Sequence, residues 1–145
     1  MSFQNQFTKT TTDANLMETV HHGSAEYPFR YYYENIALFD FKCIDWHWHS
    51  ELEFIYIESG NVVFDIGTVH FELNEGNGIM INSKILHRLQ SSSDAIIPNF
   101  LFQPSFIAPQ DSLIYKKYIN PVISSSLEYL VFQPDIPWQK KLLKS

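Results

Sequence analysis

Trp46-His47-Trp48-His49-Ser50-Glu51-Leu52-Glu53, near the head of CIDWHWHSELEFIYIESG (residues 43–60), is the stretch whose reading decides the fold. His47 and His49 are two residues apart, so on a strand both side chains leave the same face, and Trp46 and Trp48 leave the other. Glu53 follows a turn at Ser50-Glu51 and returns to that face from the neighbouring strand. His87, closing LNEGNGIMINSKILH (residues 73–87), supplies a fourth metal-capable side chain from across a barrel. Two imidazoles with one carboxylate are the minimal open set for a divalent transition metal. A second reading stands beside it: the four groups hydrogen-bond to one another and to water, and floor an empty pocket.

Outward from this stretch the pattern is one of short strands. Phe29, Tyr31 and Tyr33 alternate with Arg30, Tyr32 and Glu34, and Phe39 to His49 reads as the next strand or strand pair. Glu53 to Glu58 and Asn61 to Ile66 flank Ser59-Gly60, a hairpin signal because glycine accepts positive φ. Further turns at Asp65-Ile66-Gly67-Thr68 and at Asn74 to Gly78 set off Val69 to Leu73, Ile79 to Ile81 and His87 to Gln90. Ile96 to Phe102 follows the loop at Ser91-Ser92-Ser93-Asp94. Even spacing of this kind predicts an antiparallel sandwich or barrel. Later, Ser112 is placed to cap a short helix through Tyr118 that Asn120-Pro121 would end, and Leu127 to Phe132 reads as a closing strand. Pro137 suits the first position of a helix, with Trp138 and Leu142 one turn apart on one face.

Composition bounds the function. A chain of 145 residues, 45% hydrophobic and 16% aromatic, is one globular domain able to bury a core without staples. Cys43 is the only cysteine, so neither an intrachain disulfide nor a thiolate metal cluster is available. No apolar run approaches the roughly 20 residues of a membrane helix, and MSFQNQFTKTTTDAN lacks the blocks of a signal peptide, which makes a cytoplasmic location the expectation. The net charge is -6, and Arg30 and Arg88 are the only arginines. Direct DNA contact by these residues is disfavoured, because phosphate neutralisation needs Lys and Arg.

The motifs resemble those of the cupin superfamily. The first cupin motif has the form HxH, three or four residues, E, six residues, G, matched by His47, His49, Glu53 and Gly60. The second runs from a Gly to a closing His, matched by Gly76 and His87. Phe41 stands where the first motif would begin with Gly, and Asn82 and Lys84 stand where Pro and Gly are usual in the second. A narrower resemblance, carried by Tyr27-Pro28-Phe29, HWHSELEFIYIESG, LNEGNGIMINSKILH and Ile136-Pro137-Trp138, is to the amino-terminal sensor domain of AraC-type transcriptional regulators. It covers roughly residues 15 to 140.

That resemblance implies an all-β, cupin-like antiparallel β barrel (double-stranded β-helix) with one or two short helices toward the C-terminus. It divides the chain into a flexible arm at residues 1–15, a sensor domain at 16–134 and the start of a truncated linker helix at 135–145. It also implies a small-molecule effector, plausibly a sugar, a homodimer, and DNA contact only through a helix-turn-helix part outside this chain. In such sensors the arm can close over the effector. Arg30 is a candidate anchor for an anionic or hydroxyl-rich effector, or else a surface ion-pair partner. Arg30, His47, His49, Glu53 and His87 are thus the candidate ligand-binding set, and the last four the candidate ligands of Mn, Fe, Ni or Zn. Of Tyr31, Tyr32 and Tyr33, at most two can stack on a sugar ring. His21-His22 reads as exposed. No nucleophilic serine motif is present, and no catalytic residue is assigned. The rival expectation is a metal-dependent cupin enzyme, a dioxygenase or isomerase, using the same four residues.

Overall fold

The computed structural model describes residues 7–144. Alternation of apolar and polar side chains lets each strand bury one face, and nine strands among these residues assemble into two antiparallel sheets. One sheet orders β1 (Phe29–Asn35), β8 (Ile96–Phe102), β3 (Leu52–Tyr56), β6 (Gly78–Ile81) and β9 (Tyr129–Phe132). The other orders β2 (Cys43–His47), β7 (His87–Gln90), β4 (Asn61–Ile66) and β5 (Val69–Asn74). The inner faces enclose a barrel interior. This is the all-β cupin-like fold that the motif spacing implies.

One end of that interior is filled by hydrocarbon. Ile55, Phe64, Ile79, Leu89 and Ile97 are no more than 2% exposed and form one cluster with Ile36, Val62, Ile66 and Ile81. The strands then change character along their length. Inward positions run from Ile36, just past β1, to Glu34 and Tyr32 on β1, from Ile55 to Glu53 on β3, from Ile97 to Asn99 on β8, and from Leu89 to His87 on β7, and Tyr32, Glu34, Glu53, Asn99 and His87 are all buried.

Three local expectations are corrected. Ser59-Gly60 does not close a hairpin: β3 and β4 belong to different sheets, and the turn is a corner between them. The reason is steric and local. Ser59 pairs with Ile96 of β8, and Gly60, at φ +84°, packs so tightly on Asp94 that an added Cβ would lie 2.4 Å from its carbonyl oxygen. The true two-residue hairpin is β4–β5, with Gly67 at φ +56° between the paired Ile66 and Val69. Phe39 to Lys42 is not strand but two helical turns, Ile36–Leu38 and Asp40–Lys42, leading into β2. The Ser112 helix runs past Pro121 to α1 (Asn120–Ile123), because the preceding turn Tyr115–Ile119 is a wide π turn with Asn120 N–H bonded to Tyr115 O. Pro121 has no N–H to lose there. Ser112 does accept from Tyr115 N at 3.2 Å.

α2 (Pro137–Lys144) begins at Pro137. It lies against the outer face of the five-stranded sheet, with Trp138 edge-on to Phe132 and Leu143 over Gly78. Residues 7–15 of the expected arm, with residues 16–20 that follow, dock on the barrel: Asp40 N–H bonds Thr8 O at 2.7 Å, Asp45 N–H bonds Thr10 Oγ1 at 3.1 Å, and Met17 pairs with Trp48. Residues 1–6 of that arm lie outside the described residues.

Candidate ligand and metal site

β2, β3 and β7 bring His47, His49, Glu53 and His87 together at the polar end of the barrel, and all four are buried. His47 and His87 are cross-strand partners with ring centroids 4.2 Å apart. One ligand atom from each of the four lies within 4.8 Å of the others. Backbone carbonyls set the orientation of the rings. Each Nδ1 donates to a carbonyl two residues away: His47 to Asp45 O at 2.7 Å, His49 to Glu51 O at 3.1 Å and His87 to Ile85 O at 2.7 Å. With Nδ1 committed outward, each Nε2 is free to face the cluster, which is how metal-ligating imidazoles are held.

The Nε2 atoms of His49 and His87 both meet Glu53 Oε1 at 3.2 Å. A neutral ring protonated on Nδ1 has only a lone pair at Nε2, so these approaches require either added protons or a cation between them. Burial opposes the charge on Glu53, yet the hydrogen bonds from His49 and His87 hold its carboxyl well below the usual range. Burial likewise disfavours the charge on His49, but its hydrogen bond to Glu53 and the nearby Glu18 and Glu51 lift it to about 9. Burial, reinforced by the other two histidines, pushes His47 well below its ordinary value. An anionic carboxylate, imidazoles with inward lone pairs and braced outer nitrogens fit a divalent transition metal.

The departures from the cupin motif keep the backbone that the motif needs. Phe41 and Lys84, at two positions where glycine is usual, adopt φ of 60° and 63°. The left-handed conformation costs a non-glycine residue roughly 1–2 kcal/mol. Lys84 N–H nonetheless bonds His49 O at 2.8 Å and fixes the loop to the cluster. Asn82, in the usual proline position, is 2% exposed and donates its amide to Val122 O and Leu127 O. The motif changed in residue type and kept its shape.

Beside the cluster is a cavity of about 50 Å³. Tyr32, Glu34, His47, Glu53 and Asn99 form its barrel side, and Phe7, Lys9 and Thr10 of the docked arm its outer side. Glu34 is pushed up to about 7, chiefly by burial, against the hydrogen bond from Asn99 that favours its charge. His22, expected to be exposed, is 7% exposed and lines the same cavity. It bonds Tyr32 OH at 2.7 Å through Nδ1 and contacts Glu18 through Nε2. Sequence reasoning missed His22, Glu34 and Asn99. For Glu34 and Asn99 the signal was present in the period-two alternation of β1 and β8; His22 gave none, because the arm's docking is a tertiary event.

Arg30 is brought elsewhere. It is exposed and outside the cavity lining, its guanidinium 5.7 Å from the Tyr32 ring centroid. Tyr31 and Tyr33 point outward and are about half exposed, whereas Tyr32 points in. No helix among the described residues is long and apolar enough to cross a membrane.

Comparison with known proteins gives a family match, a curated relative and several structural neighbours. Residues 39–108 match the model of the AraC-like ligand binding domain. The chain is 32% identical over 134 residues to the uncharacterized HTH-type transcriptional regulator YdeC of Bacillus subtilis (strain 168), covering 90% of this chain and 45% of that protein. It thus spans less than half the length of that curated relative. Among solved structures, it is similar to a cupin-2 domain protein from Shewanella frigidimarina (13% identity, 52% of this chain and 72% of that one, TM-score 0.46). It is also similar to the Bacillus subtilis oxalate decarboxylase with Mn(II) centres (17% identity, 50% of this chain and 20% of that one, TM-score 0.41). The family match includes β2, β3, β7 and the turn that carries His49, and residues 39–108 belong to the family of AraC-like ligand binding domains.

Proposed function

We propose that this chain is the effector-sensing and dimerisation part of an AraC-type transcriptional regulator, acting in the cytoplasm. The observation that carries the reading is the buried polar cavity beside His47 and Glu53, closed on one side by residues 7–10 of the arm, within a barrel of this family. A small molecule, a sugar or another metabolite, enters the barrel. Its differential contacts with the arm and the polar end favour one arrangement of the chain over another. α2 begins the linker that pairs two copies and passes this preference to a DNA-binding part beyond these residues. The cavity is far smaller than the roughly 300–1,000 Å³ of sites for drug-sized ligands, so a sugar-sized effector requires residues 7–20 to draw back.

His47, His49, Glu53 and His87 would hold a divalent metal, Mn, Fe, Ni or Zn. When bound, the metal would supply a Lewis-acidic point for an effector oxygen. The residues themselves orient and exclude water: the three backbone-braced imidazoles fix the donor geometry, and Ile44 and Leu101 wall the cavity. Calorimetry against a panel of sugars and metabolites tests the sensor reading. Heat from at least one compound is expected, and a silent panel would remove its support. A gel-shift assay on these residues should give no specific DNA complex.

The second reading, a metal-dependent cupin enzyme of the dioxygenase or isomerase kind, is favoured by one observation, the four buried ligand atoms within 4.8 Å. Metal analysis of protein purified without chelators discriminates. Near-stoichiometric iron, manganese or nickel together with turnover of a cupin substrate favours the enzyme. Metal that raises the melting temperature of the wild type but not of His87→Ala, without turnover, favours the sensor.

A further inference from the structure

The hydrogen-bonding valence of the cavity wall is unbalanced. Glu34 is 7% exposed and accepts a single hydrogen bond among the described residues, from Asn99 Nδ2 to its Oε1 at 3.0 Å. Asn99 is 3% exposed and spends both amide hydrogens, one on Glu34 and the other on Ile97 O at 2.9 Å. The second Glu34 oxygen and Asn99 Oδ1 are therefore two acceptors without a donor among the described residues. No fully buried side-chain nitrogen or oxygen among the described residues lacks a partner. These two oxygens escape that condition because both side chains border the cavity and open onto it. Glu53 Oε1 takes both of its histidine contacts, so the other Glu53 oxygen adds a third acceptor on the same wall.

Charge points the same way. Glu18, Glu34 and Glu53 all border the cavity; Glu18 contacts His22 and Glu53 contacts His49 and His87, whereas Glu34 has no ion-pair partner among the described residues, and Lys9, the arm lysine that borders the cavity, is exposed. A buried carboxylate without a counter-charge is expensive, and a hydrogen-bonded cation is what relieves it. An anionic ligand would meet three carboxylates and a wall of acceptors. A hydroxyl would supply one donor and leave the charge unrelieved.

From this geometry we infer that the cavity takes the protonated amine of a small organic cation, its ammonium donating to Glu34 and Asn99. The inference rests on the sensor reading above and specifies its ligand class. A primary ammonium has three donors and no acceptor, which matches a wall offering acceptors. The volume of about 50 Å³, against the roughly 30 Å³ that a water takes in the liquid, admits such a head group without displacement of the arm. The subsite is separate from the four metal-capable side chains in that Glu34 and Asn99 belong to β1 and β8, so it persists whether or not a metal is held.

The test is an NMR titration of chelator-treated protein at pH 8 with three probes of matched size, ethylammonium, ethanol and acetate, repeated on Glu34→Gln and on a distant control, Ser125→Ala. Ethylammonium is expected to bind at least tenfold tighter than the other two. Its shifts should centre on β1 and β8, Glu34→Gln should remove at least a factor of ten, and Ser125→Ala should change nothing. Far-UV circular dichroism and the melting temperature establish that Glu34→Gln is folded. Equal or tighter binding of acetate or ethanol overturns the amine assignment, as does ethylammonium binding that Glu34→Gln leaves intact or the failure of ethylammonium to bind. Any of these leaves the sensor reading standing if the broader metabolite panel gives heat. A silent panel would sink that reading separately.

Discussion

The two ends of the barrel interior are built from the same strands and obey opposite rules. At one end Ile55, Phe64, Ile79 and Ile97 fill the space between the sheets with side chains essentially out of water. At the other, Glu34, Glu53, His47, His87 and Asn99 are also buried, yet a cavity remains and hydrogen bonds replace packing. A strand needs only two residues to pass from one regime to the other, as Ile55 to Glu53 and Ile97 to Asn99 do. Stability is concentrated at the first end, and binding capacity at the second, where polar groups were buried at a cost and left with unmet valence.

Substitutions can break this contrast. Phe64→Ala should have the largest effect, a loss of about 3–5 kcal/mol from lost transfer energy and an unfilled void at a fully buried site. Urea denaturation measures it, and a loss under about 1 kcal/mol would mean that stability is not concentrated at the apolar end.

Glu34→Gln should act in the opposite sense. The folded-state value of about 7 lies above the unfolded value of 4.5, so the folded protein binds more protons between those limits and loses stability as pH rises through them. Above pH 7 the full penalty, on the order of 3 kcal/mol, is present, and below pH 4.5 it is absent. The glutamine variant should therefore melt higher than wild type at pH 8 and about the same at pH 4.5. Melting curves at the two pH values check it; a variant equally shifted at both would show that the gain is packing rather than ionisation. Combined with the weaker ammonium binding expected of the same variant, it would show stability traded for function at one residue.

The smallest effect sharpens the boundary between barrel and arm. Tyr32→Phe removes the hydroxyl that partners His22 Nδ1 and should cost about 1–2 kcal/mol. The consequence should be local: proteolysis within residues 7–22 should accelerate more than global unfolding does. Cleavage unchanged there would mean that the contacts with Asp40, Asp45 and Trp48 hold the arm without the Tyr32 hydroxyl.

Much of the site was legible in one dimension because strand periodicity is local. The two-residue step from His47 to His49 dictated a shared face, and the alternation through Tyr32 and Glu34 carried the inward set of β1, although its polar members were not singled out. Arg30 shares that alternation but lies at the open end of β1, and nothing in the sequence gives distance along a barrel axis. Phe41 and Lys84 read as defects of the motif until their positive φ showed the glycine-like backbone retained.

What the sequence determined by itself was thus the strand pattern, the four-residue cluster and the family they belong to, since each follows from period and spacing. Tertiary structure alone decided that β3 and β4 part into different sheets, that His22 is buried under the docked arm, and that Glu34 and Asn99 hold acceptors toward a cavity. Those features arise where segments distant along the chain meet, and no local rule of spacing encodes which residues will be left facing one another.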